Sequence, residues 1–339
     1  MRRRITLLIS LSLAALIGVT GCEKKEKKDK EATAEKAQKA EEKKPKKEEP
    51  VEPDPSKPAT VGIVTVETSK SVKEVVGEMT RRLEKARSVS VIAEVDHAKN
   101  AESADMQLPA TSLLLFSNPG LETPLIADSL GAGLEFPQKV LVWKPSEGEK
   151  TKVAFNAPEY VAKRHGVEHL GLFMGRMADG LANVVENSAG VEVPDIPQRE
   201  DIGIEKGQGV ISRESQNGVS DTFDKLAKLV EENDKLKLIA KVDHTQNAKS
   251  VNKELRPAKT VIFGNPKMGT PLMKKSPRVA LDLPQKMYIY ENTYGDILLT
   301  FNSPKYLAER HGIDPEAEII GKMDKALKKI AATATEEIE

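Results

Sequence analysis

Apolar residues along this chain alternate between two spacings, and they run through the same series twice. Val64 and Val66 bracket a polar residue and predict a short strand, whereas Val72, Val75, Val76, Met79 and Leu83 recur at helical spacing. Val219, Phe223, Leu226 and Val230 repeat that helical spacing further on. Each half continues with a strand ending in Val-Asp-His, a short helix, an aliphatic strand (Leu113 to Phe116; Thr260 to Phe263) and an Asn-Pro turn. A helix then begins at Thr-Pro-Leu, with Thr123 or Thr270 as N-cap and Pro124 or Pro271 as first helical residue. After Pro137 and Pro284 two alternating runs read as a hairpin, and two helices close the unit. The last helix is amphipathic, with Met174, Met177 and Leu181 matching Ile320, Met323 and Leu327. The predicted fold class is α+β: two similar domains, each a mainly antiparallel sheet covered by helices.

The register between the halves is fixed. His97 and His244 are 147 positions apart, as are Pro124 and Pro271, while His165 and His311 are 146 apart. The one-residue change falls in the hairpin connection, where loops absorb length differences. The expected organisation is a signal segment over 1–22, a tether over 23–60, a first domain over 61–189, a linker over 190–207 and a second domain over 208–333.

Three arginines precede the apolar run Ile5 to Val19, which is too short for a lasting membrane span and ends in Val19-Thr20-Gly21-Cys22. A small-residue turn before a cysteine resembles the bacterial lipobox, so Cys22 is the expected site of lipidation, with palmitate among the acyl groups. A plain secretory signal is the alternative. The expected location is the cell envelope, periplasm or cell surface, with the membrane engaged through the anchor on Cys22. The tether is almost wholly Lys, Glu, Ala and Pro and has no aromatic residue, so it cannot bury a core; a flexible coil of about 38 residues spans roughly 35 Å. Cys22 is the only cysteine, so a lipidated chain has no thiol left for disulfides, nucleophilic catalysis or metal. A formal net charge of +0 gives no general field for nucleic acid, and none is expected as a partner.

Several residues carry candidate chemistry. Asp243-His244 and Asp96-His97 sit where a strand gives way to a helix; the carboxylate either orients the imidazole for proton transfer or metal binding, or caps the helix. Arg310-His311-Gly312 and Arg164-His165-Gly166 suit a helix C-terminus, or hold a site histidine. His165 and His169 have metal-pair spacing, but Gly166 interrupts the helix and Pro315 stands opposite His169; no metal or cofactor is expected. Arg256, Lys259, Lys267, Lys274, Lys275 and Arg278 have no basic counterpart in the first half. They predict an anion-attracting face on the second domain, or a solvated lysine-rich surface.

The run Val242-Asp243-His244, Leu255-Arg256-Pro257, Gly264-Asn265-Pro266, Leu281-Asp282-Leu283-Pro284 and Arg310-His311 resembles the bacterial and archaeal family catalogued as domain of unknown function 302. The resemblance covers nearly all of both copies and implies a small α+β domain that tends to self-associate, with no established activity. The first copy departs from the pattern at Leu108-Pro109, Ser117 and Glu135. The favoured reading is a lipid-anchored module that binds a small ligand or a protein, its two domains paired within the chain as a pseudo-dimer with a cleft at or near the join. Its expected ligand residues are Asp243, His244, Arg256, Asn265, Asp282 and His311, with Asp96, His97, Asn118, Glu135 and His165 in the first copy. The alternatives are an enzyme using His244 or His311 with Asp282 as acid and base, and a structural envelope protein.

Overall fold

The computed structural model describes residues 62–194 and 203–338. The expected signal, Cys22 and the tether lie outside the described residues, as does the middle of the linker. The first copy runs β1 (Ile63–Thr68), α1 (Val72–Lys85), β2 (Ser90–Asp96), α2 (His97–Glu102), β3 (Thr111–Ser117), α3 (Pro119–Asp128), β4 (Gln138–Trp143), β5 (Thr151–Asn156), α4 (Pro158–His165) and α5 (Gly171–Ala189). The second repeats it as β6 (Val210–Glu214), α6 (Val219–Glu231), β7 (Lys237–Asp243), α7 (His244–Ser250), β8 (Ala258–Gly264), α8 (Pro266–Lys275), β9 (Gln285–Glu291), β10 (Ile297–Asn302), α9 (Pro304–Arg310) and α10 (Glu318–Thr335). Each sheet is antiparallel, in the order β1-β5-β4-β3-β2 and β6-β10-β9-β8-β7. The fold class is therefore two similar α+β domains.

Local chemistry sets most boundaries. Ser71 accepts the Glu74 N–H while the Glu74 carboxylate accepts the Ser71 N–H, so α1 starts on a closed capping box. Gly166 ends α4 in the left-handed region at φ 71°, which a residue with a side chain resists. One boundary differs from expectation. The helices α3 and α8 begin at Pro119 and Pro266, with Asn118 and Asn265 as N-caps, so Thr-Pro-Leu lies inside them. Asn-Pro itself supplies the cap and a first residue with no N–H to satisfy, so the helix starts as soon as the strand ends. Thr123 and Thr270 are buried mid-helix rather than capping.

Both faces of the first sheet are covered. Leu114, Phe116, Val140, Val142 and Phe155 pack against Val75, Met79, Leu181 and Val185 of α1 and α5. The opposite face, with Leu113, Leu115, Leu141, Trp143 and Ala154, joins the core of the second copy, including Val242 and Ile262 of the second sheet. The layers run helix, sheet, sheet, helix, with the 3-10 turns Leu130–Glu135 and Pro277–Asp282 set across the join. Burying a large apolar side chain contributes about 1.5–3 kcal/mol. The four largest side chains on that inner face alone match the roughly 5–15 kcal/mol net stability of an ordinary domain. Each copy has its own sheet; the first keeps a helix-side core of its own, and its inner face joins the core of the second.

Candidate functional site

Each copy places an acid at the end of its 3-10 turn and an Arg-His pair at the end of its penultimate helix, and the fold brings these together across the join. Arg310 Nη1 donates to Asp282 Oδ2 at 2.6 Å, and His311 Nε2 lies 2.8 Å from the same oxygen. Lys139, from the first copy, donates to Asp282 Oδ1 at 2.9 Å. In the first copy Arg164 Nη1 and His165 Nε2 meet Glu135 Oε1 at 2.5 and 3.0 Å. The arginines reach across reciprocally, Arg164 to Asn302 Oδ1 at 2.7 Å and Arg310 to Asn156 Oδ1 at 2.9 Å. Tyr160 and Tyr306 share a 2.9 Å hydrogen bond between their hydroxyls, and the Arg310 guanidinium lies 3.9 Å from the centre of the Tyr160 ring.

Burial by itself would raise the pKa of Asp282, but the charges of Lys139 and Arg310 and the His311 hydrogen bond outweigh it and hold the carboxyl well below its usual range. Glu135 is held down in the same way, burial being overcome by Arg164 and His165. Lys286, the counterpart of Lys139, is lowered to about 7 by burial and then by the nearby Lys139 charge; its Nζ donates to the Phe136 carbonyl at 3.3 Å. The His311 side chain is 0% exposed and that of Asp282 3%. Such a pair could in principle exchange a proton, but the join must open before any substrate reaches it. The cluster's evident work is to hold the copies in register.

The remaining candidates disperse. Asp96 and Asp243 cap their helices, accepting the Lys99 and Gln246 N–H groups at 3.0 and 2.8 Å. Asn265 accepts the Lys267 N–H at the start of α8, whereas Asn118 caps α3 without a side-chain bond. Arg256 pairs with Glu291 on the surface. His244 bonds Thr260 Oγ1 at 2.9 Å and sits edge-on to Tyr288, away from Asp282 and His311; burial lowers it to about 3. His169 meets Asp128 rather than His165. Among the described residues no group of three or more His, Cys, Asp or Glu could hold a metal ion. The basic residues expected to form an anion-attracting face lie as follows. Arg256 and Lys259 sit at one end of β8 and Lys267 beyond the other, with the strand's length between them at about 3.3 Å per residue. Lys267 is therefore set apart from Arg256 and Lys259.

A cavity of about 270 Å³ opens between β7, α8 and α10 of the second copy, with Val95, His97 and Asn100 of the first copy on its wall. Its lining is mainly apolar, with Phe263, Met268, Met273, Leu283 and Leu327 among the contributors. Three of its lining residues carry a buried polar atom with no hydrogen-bond partner among the described residues: His97 Nε2, Thr270 Oγ1 and Gln285 Oε1. His97 Nε2 lacks a partner because Leu113 stands where Thr260 serves His244, while the ring bonds the Leu283 backbone; burial takes His97 down to about 4.

The equivalent place in the first copy is filled by its own chain. Glu122 is buried there, with Ser117 Oγ donating at 2.5 Å and the Asn118 N–H at 2.9 Å. Burial raises the Glu122 carboxyl from 4.5 to about 7, with Ser117, Asn118, Gln138 and the Lys286 charge pulling the other way. The native chain therefore keeps a proton that the unfolded chain releases, so stability falls as pH rises from about 4.5 to about 7. Glu122→Gln removes that slope. The variant is expected to gain on wild type by on the order of 2–3 kcal/mol between about pH 5 and pH 8, read by urea unfolding at both. An equal difference at the two pH values would refute it.

Sequence reading missed Gln285 and Glu122 and gave Thr270 only a capping role, although Pro-Gln-Lys recurs in both copies and self-alignment sets Gly269 opposite Glu122. Comparison with known proteins adds the following. A stretch of 111 residues is 32% identical to "Fluoride-specific ion channel FluC 1" of Brucella suis biovar 1, and the same length is 32% identical to "Fluoride-specific ion channel FluC 2" of Brucella melitensis biotype 1. These stretches make up 33% of this chain and 43% and 41% of those proteins, so the chain spans about two-fifths of the relatives' length. A solved structure, that of an uncharacterized conserved DUF302 protein from Bacillus stearothermophilus, aligns over 38% of this chain and 99% of its own, with 16% identity and a TM-score of 0.34. The family model for the domain of unknown function DUF302 matches residues 64–188 and again residues 211–330. With its two copies between them covering most of its length, the chain belongs to the DUF302 family.

Proposed function

We propose that this chain is a lipid-anchored envelope protein that binds a small ligand, with the paired copies acting as one binding body. The observation that carries the reading is the apolar cavity lined by His97, Thr270 and Gln285, each with one buried polar atom that has no partner among the described residues. Buried polar groups without partners are costly, and a concave apolar site with a few convergent polar groups is what small-molecule recognition requires. The buried Glu135 and Asp282 clusters support it by fixing the wall that the first copy contributes.

The wild-type chain is expected to bind one equivalent of an apolar naphthylamine fluorophore, with Met268→Trp filling the cavity and abolishing the signal. No saturable binding by wild type would end the reading. The anchor is tested separately. Cys22→Ala is expected to lose incorporated palmitate and to leave the membrane fraction; membrane retention unchanged in the variant would count against it.

A further inference from the structure

We propose that the second-copy cavity receives a small carboxylate carrying an apolar tail, its head held by the Asn265 backbone N–H, Gln285 and Thr270. This deepens the binding reading above and rests on it.

The first copy shows what the site accepts. Glu122 places a carboxyl group against the Asn118 N–H, the Ser117 hydroxyl and the Gln138 side chain. At the repeat spacing of 147, Gly269 replaces Glu122, while Asn265, Thr270 and Gln285 match Asn118, Thr123 and Gln138. The acid is gone and most of the polar surroundings remain. A Cβ at Gly269 would meet only Leu283 Cδ1 at 3.5 Å and Met273 Cε at 3.7 Å, so packing admits the first carbon of a side chain there. Gly269 thus leaves open the space that Glu122 fills in the other copy.

Charge and shape agree. Lys235, Lys237 and Lys322 line the cavity and, among its described lining residues, no Asp or Glu does. Lys237 donates to Asn100 Oδ1 and Lys322 pairs with Glu318, which leaves Lys235 to supplement the field at the rim. Gln285 makes only a 3.9 Å contact to Met323 Sδ, so its amide can turn to donate, and the Thr270 hydroxyl can rotate to do the same. Met268, Met273, Leu283, Leu327 and Ile330 offer an adaptable wall for the tail.

The test displaces the bound fluorophore from the full chain with decanoate or decanol at about pH 8, where a free carboxylate is ionised. Decanoate is expected to compete roughly tenfold or more better than decanol, the margin of a charge-assisted hydrogen bond. Gly269→Glu, which restores the internal acid, is expected to abolish decanoate competition. Gln285→Leu should bring the two ligands to near parity, and it serves if the Gly269 variant fails to fold. Equal competition by decanol in wild type overturns the carboxylate assignment and leaves the binding reading standing. Failure of the fluorophore to bind at all defeats both.

Discussion

Asp282→Ala is expected to destabilise the chain by about 3–5 kcal/mol, the range for removing one partner from a buried ion pair. Its carboxylate answers Lys139 of one copy and Arg310 and His311 of the other, so removal takes the carboxylate from two buried cations at once. Asp243→Ala, which removes a helix cap and no buried charge, is the control at about 1 kcal/mol. Guanidinium unfolding of both variants makes the comparison, and equal losses would mean the cluster holds nothing together. The pH dependence has a definite sign. Because the native carboxyl sits well below its ordinary 3.8, its stabilisation is present above about that pH and fades as pH falls further. The variant should therefore show a flatter acid limb than wild type.

Gly133→Ala is the second large effect, expected to cost roughly 3 kcal/mol, at the upper end of what overpacking a core incurs. A methyl group there would overlap the Tyr288 ring, which comes from the other copy and donates its hydroxyl to the Leu130 carbonyl at 2.9 Å. The repeat explains the geometry, since the counterparts of Gly133 and Tyr288 are Ala280 and Leu141. Tyr288→Leu should then restore most of the stability lost in Gly133→Ala. Non-additivity in a double-mutant cycle is the readout, and simple additivity would place the strain elsewhere.

Much of this architecture is legible in the chain because strand and helix periods differ and because the series occurs twice. The hairpin was marked by its change in length, and the capping of α2 and α7 by Asp followed from position. Runs such as Leu113 to Phe116 and Val140 to Trp143 are apolar on successive residues, the mark of a sheet buried on both faces. What covers the second face is not written in either copy alone. Two domains were expected to pair, and they do so by burying Leu113, Leu141 and Trp143 in a core shared with the other half, while the first copy keeps a second core under its own helices. The Arg-His pairs end their helices, and they also enter a buried ion cluster. His244 was expected near His311 and Asp282, but Thr260, a polar residue facing inward from β8, draws it away. The cavity was least legible of all, because it depends on a side chain that is missing at Gly269.

Joining both copies in one polypeptide has a consequence beyond holding them near each other. In a dimer of identical chains every substitution is made twice, so opening a hole on one side weakens the other as well. Here Gly269 can hollow one flank while Glu122 keeps its twin solid, and Gly133 can yield to Tyr288 with no mirrored gap at Ala280. Division of labour follows: one half is free to specialise in holding a guest while the other remains the scaffold against which it is held.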